Sequence, residues 1–129
     1  MVNLAAEIAA VLPGMRAQAE TLMTDTVRVE RGGGEPDPLT GLPILETVYE
    51  GRGKVQSFRA YESSRELGGA TVTLGRREVH VPWDAGPFEI GDVVTVVESV
   101  SPHLVGFRAR VAFPDEKTHQ TAQRLLVDQ

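Results

Sequence analysis

Between Glu78 and Val97 the chain runs through two β-branched segments separated by a connection rich in proline and glycine. Val79 and Val81 alternate with Glu78 and His80, and Pro82 stops that run. After the loop, Gly91-Asp92 launches Val93-Val94-Thr95-Val96-Val97. β-Branched residues in short runs bounded by turn formers read as strands, and consecutive strands usually pair. The expectation is a pair of neighbouring strands at the middle of a small β-structure. With four valines in five positions, the second is expected to be covered on both faces.

Composition supports short strands. Thirteen glycines and eight prolines in 129 residues mean many turns. Aromatics make up only 5%, so Val, Leu, Ile and Ala must build the core. A length of 129 residues suits a single domain, 1–129. The net charge of −5 argues against a free nucleic-acid binder, which needs a basic face to displace counterions. An acidic passage through which DNA slides is compatible with it. Without cysteine there is no disulfide, thiolate metal site or cysteine nucleophile. No apolar run reaches the roughly 20 residues that span a bilayer, and the opening MVNLAAEIAAVLPG lacks the basic leading segment of a signal peptide. The expectation is a protein made and used in a cytoplasm, or in an assembly built there, with no membrane partner.

Residues 1–24 read as a helical segment. Leu4, Ile8, Val11, Leu12, Met15, Ala19 and Leu22 recur at spacings of three and four, with Asn3 as a cap. Pro13 fits a first turn better than an interior, which predicts one helix over 4–12 and another from Pro13 to about Met23. The apolar stripe either packs on the protein's own sheet or docks on a partner.

Residues 25–129 read as β-structure with long loops at 32–43 and 58–69. Thr26 to Arg31 alternates as a strand. The glycine- and proline-rich stretch from Gly32 to Gly41 reads as a hairpin loop that carries Glu35 and Asp37. No GK[ST] ending or helix follows it, so it is not a phosphate cradle. Ile44 to Glu50 and Gly53 to Phe58 read as two further strands. Residues 59–68 form either a short helical turn or a hairpin tip. Ala70 to Leu74, Arg76 to Val81 and Leu104 to Phe113 read as strands, the last broken by Pro114-Asp115. The tail reads as a final strand over Leu125-Leu126-Val127 in preference to a helix. Six to eight short strands after a helical start predict a mainly β fold, a small barrel or sandwich.

Catalytic constellations do not emerge. His80, His103 and His119 share no ligand spacing, so each is expected at the surface or in a cap, and no metal or other cofactor is expected. No nucleophile turn exists, so the chain is not expected to be an enzyme. Gly91-Asp92 reads as a structural turn, with the Asp carboxylate accepting from nearby backbone N–H groups. Trp83 reads equally as a lid on the core or as a contact residue. Arg76 with Arg77, and Arg108 with Arg110, are basic clusters among acidic neighbours, which suits either a charged partner or a solvated face.

Several stretches together resemble a family of small neck proteins of tailed phages of actinobacteria. They are AETLMTDTVRVER (19–31), DPLTG (37–41), YEGRGKVQS (49–57), VHVPWDAGPFEIGDVVTVVES (79–99), and SPHLVGFRARV followed by THQTAQRLLVD (101–128). The resemblance is to head-to-tail connectors of the stopper, or head-closure, type. It implies a small β-barrel that forms a ring in the virion neck. A portal and adaptor would lie above, a tail terminator or tail tube below, and double-stranded DNA would pass through without sequence-specific binding. Assembly would take place in the host cytoplasm. On that reading Gly32, Gly33, Gly34, Glu35, Pro36 and Asp37 are candidates for a lumen gate or an inter-subunit loop. Arg59, Tyr61, Arg65, Arg76, Arg77, Trp83, Arg108 and Arg110 are candidate subunit or partner contacts. Another neck component, or a small β-barrel binding module, is the alternative.

Overall fold

Six antiparallel strands close on themselves as a barrel in a computed structural model that describes residues 3–33, 35–57, 64–67, 70–73 and 77–128. Helix α1 (Leu4–Thr21) precedes β1 (Asp25–Gly32), β2 (Leu45–Ser57), β3 (Ser64–Leu67), β4 (Ala70–Thr73), β5 (Arg77–Pro82), β6 (Val93–Glu98), β7 (Arg108–Asp115) and β8 (Ala122–Asp128). The barrel order is β1-β2-β5-β8-β7-β6, and β1 pairs with both β2 and β6 to complete the ring. Strands β3 and β4 form a separate two-stranded antiparallel sheet, so residues 64–67 are strand and not a helical turn.

The interior is aliphatic, as so few aromatics require. Val27, Val29, Val79, Val81, Val94, Val96, Val111 and Leu125 are all essentially inaccessible to solvent, with Phe88 and Phe107 at the margins of the cluster. β1, β6 and β8 alternate a buried residue with a more exposed one, the period-2 pattern of a barrel wall. Closure leaves no unpaired sheet edge along most of the wall.

The expected central pair is corrected by this topology. β5 and β6 are not neighbours but stand opposite each other in the ring of six, and β5 pairs with β2 and β8. Their valines meet across the interior. Two inward-alternating runs look alike in sequence whether they pair side by side or face each other. β6 is also fully buried on one face only, through Val94 and Val96, while Val93, Thr95 and Val97 are half-buried.

Other boundaries shift for local reasons. The two strands expected at 44–50 and 53–58 are one 13-residue strand. Its glycines are not turn residues. A Cβ on Gly53 would lie 2.7 Å from Val27 Cγ2 and 3.1 Å from the His80 carbonyl oxygen, so both neighbouring strands press against that position. The two expected helices are one, Leu4–Thr21, with Pro13 inside it. Pro13 and Ala9, whose carbonyl loses its i+4 donor, are both exposed, so the freed oxygen is open to solvent. Pro82 and Pro114 lie within strands, opposite Ala122 and Leu125. Pro114 is tolerated because β6 ends its pairing with β7 earlier, leaving no partner for the missing N–H. β7 begins at Arg108, after a 3₁₀ turn over Pro102–Leu104 that leaves Val105 exposed.

The tail is a strand, as expected, and Leu125 is fully buried within it. Leu125→Ala is expected to cost about 2–5 kcal/mol by urea unfolding, and Gly53→Ala about 1–3 kcal/mol through the forced close contact. Ile90→Ala, on an exposed loop, is expected to stay within about 0.5 kcal/mol.

Candidate functional site

The interior is filled, so the groups available for recognition lie outside the barrel, and three features concentrate them. The first is the hairpin between β1 and β2. The strands pair as far as Gly32 opposite Leu45. Beyond them Asp37 organises the tip: its carboxylate accepts from Leu39 N–H at 2.9 Å, and its backbone bonds to Leu42 and Gly41. This Asx turn fixes the loop without burying it, so Leu39 is 93% exposed and Leu42 and Ile44 project as well. Glu35 and Pro36 are exposed beside it.

The second feature is the connection from β5 to β6, tied down by a buried ion pair. Asp92 is 2% exposed. It accepts from Arg31 Nε and Nη2, each at 2.9 Å, and from the Glu89 backbone N–H at 2.9 Å. The carboxylate does cap a turn, as the Gly-Asp pair suggests, but its principal partner lies 61 residues away. Arg31 also donates to the Pro87 carbonyl and contacts Glu89 at 3.3 Å. Burial by itself pushes the Asp92 carboxyl up, but the Arg31 guanidinium and the Glu89 N–H outweigh it and hold the group below its ordinary value. At the start of the same connection Trp83 is partly exposed and lies under the Arg16 guanidinium, 3.6 Å from ring centroid to Cζ. Arg16 Nε also reaches the Gln120 carbonyl at 3.0 Å. Trp83 thus fastens α1 to the barrel through its ring face.

The third feature is a groove of about 600 Å³ over β6 and β7. Ile90, Val93 and Ala112 contribute apolar surface, and Arg108, Arg110 and Asp128 contribute charge. No aromatic residue lines it. The structure therefore brings Arg108 and Arg110 together with Gly91 in one place. Arg77 lies elsewhere, with its guanidinium 5.0 Å from the Phe107 ring. Gly34, Arg59, Tyr61 and Arg76 lie outside the described residues. Arg65 falls on β3, away from the barrel sheet. No sequence signal marks Arg31 or Arg16, because their partners are remote along the chain.

His80 corrects another expectation, being buried in place of surface-exposed, with Nε2 2.8 Å from Glu78 Oε2. Burial holds its pKa below the ordinary imidazole value. Glu78 opposes that effect, while Lys54 and Arg124 reinforce it. Among the described residues no group of three or more His, Asp or Glu stands close enough to hold a metal ion. Among them, too, no helix is long and apolar enough to cross a membrane.

Compared with known proteins, residues 15–128 match a family of unknown function, DUF6093, and the chain belongs to that family. No curated protein and no solved structure matches it.

Asp92→Asn is expected to cost about 2 kcal/mol, since a charge-assisted bidentate bond is lost and Arg31 is left half-open to water. Guanidinium chloride unfolding at neutral pH checks it. Asp92 contributes its stabilisation above the unfolded carboxylate pKa of about 3.9, and loses it as pH falls through the lower folded value. His80 acts in a higher window. The unfolded imidazole takes a proton first, so stability falls as pH drops below about 6.5, by at most about 1.4 kcal/mol per unit. His80→Gln is expected to flatten the pH–stability curve between about 6.5 and 5, relative to wild type.

Proposed function

We propose that this member of DUF6093 is a structural virion protein, a head-to-tail stopper. It forms a ring below the portal and adaptor, closes the DNA channel and joins head to tail. The observation that carries this reading is the contrast between a barrel filled by its own valines and an outer surface bearing exposed apolar residues. Val27, Val79, Val94 and Val111 pack together in the barrel's buried aliphatic cluster, whereas Leu4, Leu22, Leu39, Leu42 and Ile90 are each more than 60% exposed. Large apolar groups held in water favour association with other macromolecules.

The resemblance to phage stoppers supports the same reading. Its segments fall on β1, the hairpin tip, β2, the β5–β6 unit and the β7–β8 unit, so they cover every strand of the barrel. In this role the β1–β2 hairpin is the candidate gate, stiffened at its tip by the Asp37 turn and able to reach the channel or a neighbour's sheet. A net charge of −5 suits a passage that repels DNA phosphates and lets the duplex slide. A small-molecule binding module would use an enclosed pocket rich in aromatics. The β6–β7 groove is open and has none, which favours the assembly role.

Quantitative mass spectrometry of purified particles from the source, scaled to the portal protein, tests the proposal. The expected result is this chain at a fixed, ring-like ratio to the portal. Its absence from particles that carry every other structural protein overturns the reading.

A further inference from the structure

The apolar residues of α1 serve two different surfaces. Leu12 is buried against the barrel. Leu4, Ile8, Val11 and Met15 are spaced four, three and four apart, and Leu22 falls on the same line. They are 68%, 39%, 56%, 49% and 62% exposed. At about 100° per residue these five fall in a sector roughly 60° wide, turned by about 70° from Leu12. Alternating four–three spacing is the pattern of a helix seam that meets a second surface along its length. In this chain nothing covers it among the described residues.

A matching surface lies elsewhere on the wall. α1 packs against β5 and β8, whereas the apolar groove lies over β6 and β7, and β5 faces β6 across the ring. In this packing α1 does not lie over its own groove. The charges are complementary: Glu7 is the only charged residue from Leu4 to Met15, and the groove carries Arg108 and Arg110 against the single Asp128.

We propose that α1 of one copy seats its Leu4–Ile8–Val11–Met15 stripe in the β6–β7 groove of a second copy, head to tail. A helix of 18 residues is about 27 Å long and presents a face about 10 Å wide. One such contact is well below the ~800 Å² per partner of a stable interface, so a weak, concentration-dependent association is expected. Each copy offers both surfaces, so every subunit of a closed ring makes two such contacts. A heterologous contact of this kind closes a ring when its rotation closes. The inference deepens the ring-forming reading above and rests on it for the closed ring, while the contact itself belongs to the isolated chain.

Two variants decide it. Ile8→Glu with Val11→Glu disables the stripe, and Ile90→Glu with Arg110→Glu disables the groove. All four positions are exposed, and circular dichroism checks that each variant folds. In sedimentation velocity the wild-type mass is expected to rise with concentration, while each variant alone stays monomeric. An equimolar mixture is expected to give one-to-one pairs and nothing larger, because one variant keeps its groove and the other its helix. A groove variant that assembles like wild type means that the stripe meets another helix, and overturns the proposal. So does a mixture that stays monomeric, or a wild type that is monomeric into the millimolar range. If either double variant fails to fold, a cysteine pair replaces it, since the chain has no native cysteine. Ile8→Cys with Ile90→Cys is then expected to cross-link between copies, and absence of that product on oxidation overturns the contact. None of these outcomes alters the particle composition, so the neck reading stands or falls separately.

Discussion

Everything in this molecule depends on β1 finding two partners. Its pairing with β2 is local, a hairpin that the chain forms by folding back. Its pairing with β6 joins residues 63 to 72 positions apart, from Glu30 opposite Val93 to Thr26 opposite Glu98. That second ladder turns a curved sheet into a closed wall, gives backbone groups partners that would otherwise face water, and puts Val27 and Val29 at the centre of an interior shared by all six strands. The Arg31–Asp92 pair sits at the end of this ladder and holds the β5–β6 connection against β1. Because the carboxylate is buried and doubly bonded, it acts as a positional fastener for the seam.

A closed, filled barrel directs function outward. Small β-branched side chains form the buried interior, and the loops and helix are left to carry recognition. The features found there differ in kind. The hairpin tip is an exposed loop stiffened by a turn, α1 is an apolar ridge, and the β6–β7 groove is a concave strip with basic margins. Their placement on different flanks leaves each open to a separate contact, as the proposed ring subunit would require.

Much of the fold was legible in the residues. The mainly β class, the short strands, the aliphatic core, the hairpin at 32–43 and the final strand all follow from alternation and turn chemistry, which are local properties. Legibility failed wherever a residue's meaning depended on a distant neighbour. Gly51 and Gly53 look like strand ends but lie inside β2, where Gly53 makes room for Val27 and the His80 carbonyl. Pro114 looks like a terminator, but sits where a missing N–H costs nothing. His80 looks solvent-facing by alternation, yet neighbours bury the outer face of β5 at that point. For the site, the Asp92 turn was readable and its Arg31 partner was not. The apolar stripe of α1 was visible as a pattern, but nothing in a linear pattern states which part of it the protein covers.

The sequence by itself determined the alphabet of the fold: a helix, then β-branched runs separated by proline and glycine, with too few aromatics for any core but an aliphatic one. Alternation with period two is enough to assign an inward and an outward face to each strand. The order of strands around the barrel was decided only in three dimensions. β5 and β6 carry the same inward valines whether they lie side by side or face each other, and only closure through β1 separates those cases. The same closure decided which surfaces remain open, because exposure is a property of what packs alongside a residue and not of the residue itself.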